Sequence, residues 1–263
     1  MTINDIQTKK GREKIVMLPA YDAITAKIAE GGGVDCILVG DSLANTALGY
    51  ADTLSVTLDA MLHHAGAVTR NITRCPVIFD MPFLSTSGTE SEAVLNCGRA
   101  LQEAGCTAVK IEGGAAKAGL ISRMVDSAIP VMGHIGLMPQ YVRQKGGMFV
   151  QGKDAASADA IVLDAHALVK AGVFAIVVEC VPTALGKRLA EEVSVPVIGI
   201  GAGPHCDGQV LVIADMLGME AGSAPKHARQ YATLFDEAVH AVAAFTDEVR
   251  SGEFPSETES FTI

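Results

Sequence analysis

Eight short apolar runs recur along the whole of this 263-residue chain, each too short to be a helix. They are Ile15–Ala20, Cys36–Gly40, Pro76–Phe79, Ala108–Ile111, Pro130–Gly133, Phe174–Val178, Pro196–Ile200 and a weaker eighth, Val210–Ala214. Continuous rather than alternating apolarity marks strands buried on both faces, the condition of a parallel sheet covered by helices. Helical segments lie between the runs. Thr89-Glu90-Ser91-Glu92 reads as a capping box, with Thr89 at the N-cap and Glu92 at N3. Val94, Cys97, Leu101 and Ala104 follow at helical spacing, and Gly105 ends the segment. Residues 57–70, 116–128, 155–171 and 183–193 read alike. A longer helix is expected over about 226–250, with Leu234, Ala238, Ala241, Phe245 and Val249 on one face, followed by a short polar tail at 251–263. Eight strands alternating with helices predict an α/β fold, a single (β/α)8 TIM barrel spanning residues 1–263. A doubly wound open sheet is the alternative, disfavoured because no G-x-G-x-x-G follows the first run.

Composition removes several functions. With 49% hydrophobic and 19% charged residues the bulk of the chain is not disordered. A net charge of -10 repels a phosphate backbone, and an aromatic content of 5% without Trp provides no base-stacking platform, so nucleic acid is not an expected partner. No C-x-x-C joins any of the six cysteines, so they read as reduced, mostly buried thiols of a cytoplasmic protein. The first residues form no apolar core of a signal peptide, and no stretch is apolar over the 18 residues that suggest a membrane span.

In a TIM barrel the active site is built from the C-terminal strand ends. Here those ends are polar. The second run leads into Gly40-Asp41-Ser42 and the third into Asp80-Met81-Pro82. The fourth carries Lys110-Ile111-Glu112-Gly113-Gly114, the fifth Gly133-His134-Ile135-Gly136 and the sixth Glu179-Cys180. Five consecutive strands thus bring an ionisable residue to one rim, and the opposite strand ends show no similar set. Three carboxylates at one mouth (Asp41, Asp80, Glu112) repel one another and need a cation; hard oxygen ligands favour Mg²⁺ over Zn²⁺. Lys110 and Glu112 are two apart on a strand, so both can face the interior. Lys110 then offers a fixed positive charge to an anionic substrate. His134 is a hydrogen-bond donor or a proton shuttle. Glu179 follows Ile176-Val177-Val178, where desolvation favours its neutral form and makes it a stronger base once ionised. The glycine-rich Gly199–Gly203 follows the seventh run, a common place for phosphate, although a tight turn explains it equally. His205 and Cys206 are expected near the same mouth.

Gly40-Asp41-Ser42-Leu43, Lys110–Gly114, Gly133-His134-Ile135-Gly136-Leu137-Met138-Pro139-Gln140, Glu179-Cys180-Val181-Pro182 and Ile198–Gly203 together resemble the ketopantoate hydroxymethyltransferase family, in its order and over nearly the whole chain. The resemblance implies a barrel of the phosphoenolpyruvate/pyruvate superfamily type. It implies the first step of pantothenate biosynthesis, with Mg²⁺ as cofactor and 5,10-methylenetetrahydrofolate as one-carbon co-substrate. The hydroxymethyl group goes to 3-methyl-2-oxobutanoate through a Mg²⁺-stabilised enolate. By motif match Asp41, Asp80 and Glu112 correspond to the metal site. Ser42 and Lys110 join Asp41 and Asp80 in holding the oxo acid, with His134 beside them, and Glu179 corresponds to the catalytic base. The implied partners are the small 2-oxo acid and folate, with no nucleic acid and no membrane, in a ring-based homo-oligomer for which a decamer is suggested.

The chain departs from the family's pattern at Ala44-Asn45, at Met148-Phe149 and at Ser223, which bears on the second-substrate pocket. The competing readings are a paralogous Mg²⁺-dependent aldol-type enzyme or C–C lyase acting on another 2-oxo acid, and a non-catalytic binding barrel. The lyases carry a reactive Cys after the fourth strand, where this chain has Gly113-Gly114-Ala115-Ala116.

Overall fold

A computed structural model describes residues 1–222 and 225–261. Eight parallel strands close a barrel in sequence order: β1 Ile15–Pro19, β2 Cys36–Val39, β3 Val77–Asp80, β4 Ala108–Glu112, β5 Val131–Gly136, β6 Ala175–Glu179, β7 Val197–Ile200 and β8 Gly208–Val210. The α-helices are α1 Ile3–Thr8, α2 Ala23–Gly31, α3 Leu43–Thr46, α4 Leu58–Thr69, α5 Glu90–Gln102, α6 Ala118–Asp126, α7 Val142–Lys145, α8 Ala155–Lys170, α9 Thr183–Glu192, α10 Ile213–Leu217 and α11 Leu234–Ser251. The expected capping box opens α5: Thr89 Oγ1 accepts from the Glu92 amide, and the Thr89 amide donates to the Glu92 carboxylate. By contacts the chain forms two compact units, Met1–Ile213, which holds the barrel, and Ala214–Ile263.

The eighth strand differs from its expected place. It is Gly208–Val210, while Ile213 and Ala214 begin α10. β8 pairs with β1 through Ile15↔Gly208, where a Cβ on residue 208 would stand 2.5 Å from the Ile15 carbonyl oxygen. Glycine is therefore needed, and a strand made of Gly, Gln and Val leaves little apolar signal. Between β7 and β8 the chain crosses without a helix. Gly201 and Gly203 take positive φ (61° and 83°), and a side chain at Gly203 would meet Thr183 at the start of α9. This turn carries His205 and Cys206 to the N-terminal end of the barrel, away from the expected mouth. There Lys14, just before β1, donates to the Cys206 carbonyl, and the Ile15 amide donates to the Asp207 carbonyl.

That N-terminal rim is also charged, but its carboxylates are paired. Asp35 accepts from the Val16 amide and pairs with Lys9 at 2.9 Å; Asp207 accepts from the Val197 amide and pairs with Lys10 at 2.7 Å. The two lysines follow α1, whose Ile6 is fully buried against interior residues including Ile15, Met17, Ala108, Met132 and Ile198. α1 plugs the floor of the barrel. Ile6→Ala is expected to destabilise the fold by about 2–5 kcal/mol, through lost apolar burial plus the cavity it leaves. Urea denaturation measures this, and a loss below about 1 kcal/mol would mean that the floor closes without the plug.

In the second unit α11 starts at Leu234, later than the expected 226. The preceding segment is bonded elsewhere, with the Tyr231 amide donating to the Met216 carbonyl, and the first turn of α11 bonds back through the Phe235 amide to the Gly218 carbonyl. The tail contains a short 3₁₀ turn, Glu257–Glu259, capped by Ser256.

Candidate active site

Inward-facing positions on the strands repeat every second residue. Low in the barrel they are apolar and near the C-terminal end they ionise. On β3 the sequence is Ile78 then Asp80, on β4 Ala108, Lys110, Glu112, on β5 Met132, His134, and on β6 Val177, Glu179. The register aligns Asp80 with Lys110 and Glu112 with His134. The same alternation that builds the core therefore stacks a polar layer on it, and Asp41, Asp80, Lys110, Glu112 and His134 are all buried.

These residues form a continuous string. The Asp41 amide donates to Asp80 Oδ2 at 3.2 Å. Lys110 Nζ lies 2.8 Å from Asp80 Oδ1 and 3.1 Å from His134 Nδ1. His134 Nδ1 stands 3.6 Å from Glu112 Oε1, and its Nε2 stands 3.2 Å from Glu179 Oε2. Several of these contacts are close without being aligned: Asp80 Oδ1, Glu112 Oε1 and His134 Nε2 have no hydrogen-bond partner of good geometry. Buried polar atoms left in that state are costly unless a ligand completes them. Ser42 stands beside the string, its Oγ 2.8 Å from the Tyr21 hydroxyl.

Charge and burial set the protonation. Burial, followed by the charges of Asp80 and Glu112, pushes the Asp41 carboxyl well above its usual range. Burial pulls Lys110 down, but Asp80, Glu112 and Asp41 outweigh it and raise its pKa, so it remains an ammonium. Burial and Lys110 oppose the charging of His134, yet its contacts with Glu112 and Glu179 prevail and push it up to about 9. With every group charged, four carboxylates face two cations, an excess of two negative charges. The raised pKa of Asp41 favours a proton there, which would relieve part of it. Among the described residues no three His, Cys, Asp or Glu side chains converge as a closed metal cage. The arrangement is an open string of hard oxygen donors. That suits Mg²⁺, a hard cation that takes oxygen ligands and keeps waters among them.

Two participants carried no role in the sequence reading. Gln140 Nε2 donates to Asp41 Oδ2 and to the Met81 carbonyl, both at 2.9 Å, while its amide donates to Glu112 Oε2 at 3.1 Å. One residue thus ties two of the carboxylates together. A polar residue straight after Met138-Pro139 was its only signal. Tyr21, just beyond β1, orients Ser42, and its carbonyl lies 2.7 Å from His64 Nδ1, which gives that histidine a packing role. Gly113 and Gly114 have a structural reason: a Cβ on Gly113 would meet the Lys117 stem, and one on Gly114 the Asp164 carboxylate. Of the departures, Ala44 is buried in α3, Asn45 donates to the Tyr50 carbonyl, and Met148 and Phe149 are exposed. Ser223 lies outside the described residues.

A parallel barrel whose C-terminal mouth gathers carboxylates around a lysine and a histidine belongs to the class of barrel enzymes. Solved structures with this fold include phosphonopyruvate hydrolase in complex with oxalate and Mg²⁺ (TM-score 0.64, 14% identity, covering 100% of this chain and 93% of that one). Another is 2,3-dimethylmalate lyase, a member of the PEP mutase/isocitrate lyase superfamily (TM-score 0.62, 15% identity, 98% and 91%). At such identities the likeness is one of fold. Sequence is more specific. A sequence model of ketopantoate hydroxymethyltransferase matches residues 1–257. The 3-methyl-2-oxobutanoate hydroxymethyltransferase of Syntrophomonas wolfei subsp. wolfei is 53% identical, covering 100% of this chain and 96% of its own. That of Dehalococcoides mccartyi is 50% identical, covering 98% and 91%. The chain belongs to the ketopantoate hydroxymethyltransferase family, and that family's reaction, hydroxymethyl transfer to 3-methyl-2-oxobutanoate in pantothenate biosynthesis, is its function.

Proposed function

We propose that the string at the barrel mouth binds 3-methyl-2-oxobutanoate together with Mg²⁺, removes the C3 proton, and joins C3 to the methylene carbon of 5,10-methylenetetrahydrofolate. The observation that carries this is the buried run of carboxylates, ammonium and imidazole, in which Asp80 Oδ1, Glu112 Oε1 and His134 Nε2 lack a hydrogen bond of good geometry. Asp41, Asp80 and Glu112 would hold the cation, which when bound would supply an electrophile for a keto oxygen. Lys110 and Ser42, with Asp41 and Asp80 beside them, hold and orient the oxo acid. Glu179 takes the proton from C3. His134, 3.2 Å from Glu179, positions that carboxylate and bridges it to the Lys110 side of the site. C3 then bonds to the methylene carbon. Water supplies the hydroxyl oxygen, so that a CH₂OH group replaces the C3 proton and tetrahydrofolate leaves.

Exchange of the C3 proton of 3-methyl-2-oxobutanoate in deuterated buffer tests the first half without folate. Exchange is expected to require Mg²⁺, and product to appear only when the folate is added. The sign of the pH dependence follows from Asp41, whose raised pKa makes a proton compete with the cation. At limiting Mg²⁺ exchange should fall as the pH is lowered, and saturating Mg²⁺ should move that fall to lower pH. Exchange that proceeds equally in a chelator would overturn the metal assignment.

Two further features belong to the same proposal. The free thiols at Cys36, Cys75, Cys97, Cys106, Cys180 and Cys206 suit a cytoplasmic enzyme. Val239, Val242, Phe245 and Val249 leave an exposed apolar stripe on α11, which suits a homo-oligomer. No helix among the described residues is long and apolar enough to cross a membrane.

A further inference from the structure

Beside the carboxylate string lies a cleft of about 610 Å³, well inside the size range of small-molecule sites. Its inner wall includes Glu112 and Gln140, so an occupant would lie next to whatever the barrel mouth holds. We propose that this cleft seats the one-carbon donor, with a planar heteroaromatic ring against Phe83, Leu84 and Tyr141 and an anionic tail on Lys117; this rests on the folate donor of the function proposed above.

Three observations carry it. First, the walls have two characters. Leu54, Met81, Phe83, Leu84 and Ile111 present apolar surface, and the cations Lys117 and Arg143 border it. A ligand flat and apolar at one end and anionic at the other matches both. Second, the apolar lip is open to water: Phe83 is 39% and Leu84 63% exposed. Leu84 also holds a φ of 64°, in the left-handed region that a leucine seldom adopts. A strained, exposed leucine at the edge of a cleft is where a ligand would find its contact. Third, Lys117 is half-buried, and no carboxylate among the described residues pairs with it; its Nζ reaches only the Thr86 carbonyl at 3.2 Å and hydroxyl at 3.5 Å. Arg143, by contrast, is paired with Asp52 at 3.1 Å and largely exposed. The absence of a side chain at Gly113 lets the Lys117 stem lie across that backbone, since a Cβ there would stand 2.6 Å from Lys117 Cγ. Gly113, just after β4, thus lets Lys117 place its charge at the cleft.

The test uses 5-formyltetrahydrofolate as a stable, unreactive probe, titrated by calorimetry into the full-length protein, with steady-state kinetics alongside. Lys117→Met removes the cation and Phe83→Ala the ring face. Each is expected to weaken the probe about tenfold, on the scale of one lost charge-assisted hydrogen bond or one lost stacking face. KM for the methylene donor should rise to match, while KM for the oxo acid stays within about twofold, a split that a general loss of structure would not give. Thermal melting confirms that each variant is folded, and having two variants on separate walls guards against one failing to fold. If the wild-type protein binds the probe and both folded variants bind it as tightly, the cleft is not the donor's seat and the inference is overturned. If the wild-type protein exchanges the C3 proton but neither binds the probe nor turns over with the methylene donor, the folate reading itself falls.

Discussion

Glu179→Gln is expected to lose C3 proton exchange by about 10²–10⁴-fold, the usual contribution of a positioned general base. Fold, cation and oxo acid should be retained, because the amide keeps the shape and hydrogen-bonding reach of the carboxylate. Glu179 ends β6, which in a closed eight-stranded barrel stands across the mouth from β2 and the Asp41 that follows it. That is where a base must be. The cation side takes the oxygens of the substrate, and the proton leaves from the carbon on the other side. Glu179 is also the least buried member of the string, its side chain 18% exposed against 3% for His134. It can therefore reach a substrate in the mouth, while His134 sits below it between Lys110 and Glu112. His134 is the rival base, and the contrast is direct. With exchange measured side by side at saturating substrate, His134→Gln should lose less than Glu179→Gln. It should also change the pH profile, because the imidazole that pairs with Glu179 is gone. The reverse order, with exchange kept in Glu179→Gln and lost in His134→Gln, would make Glu179 the orienting partner and His134 the base.

The sequence made most of this string visible for a simple reason. A barrel strand buried on both faces has no ordinary place for a charge, so Asp80, Lys110, Glu112, His134 and Glu179 stand out against their apolar runs. The strand ends also share a rim, which turns five separate oddities into one site. What was not legible depends on distance in the chain. Gln140 bridges Asp41 and Glu112 from a short 3₁₀ turn after β5, Pro139–Tyr141, and nothing local in Met138-Pro139-Gln140 encodes a partner 99 residues away. Ser42 and Tyr21 likewise meet only when β1 and β2 lie side by side. The eighth strand was misplaced because apolarity was its sole marker, and the close approach at Gly208 demands the residue with no side chain. The charges at the barrel floor are hard to read from sequence because Lys9 and Lys10 directly follow α1, a helix too short and polar to stand out.

Lys110→Met is expected to carry the second large effect, on stability rather than on rate. The ammonium is buried between Asp80 and His134, and the string already holds more negative than positive charge. Removing one partner of a buried pair costs about 3–5 kcal/mol, because the remaining charge is left without compensation. That loss should be seen by urea denaturation of the metal-free variant at neutral pH. Its pH dependence has a definite sign. Lys110 has a raised pKa, so its own contribution is complete below the usual lysine value and constant from pH 5 to 8. Any change in the gap between variant and wild type across that window must come from the other titrating groups of the string, Asp41 and His134, both of which Lys110 holds down. Without the ammonium, Asp41 and His134 hold their protons still more tightly in the folded state, so the variant loses stability relative to the wild-type protein as pH rises. The gap should therefore be wide at pH 8 and narrow at pH 5. Mg²⁺ should stabilise the variant more than the wild-type protein, because a divalent cation meets the same excess of negative charge that the ammonium did. Oxo-acid affinity should remain weak even with Mg²⁺ saturating, since the counter-charge for the substrate carboxylate is not restored. A gap that is the same at both pH values, with Mg²⁺ stabilising both proteins equally, would show that Lys110 does not balance the carboxylate cluster at all.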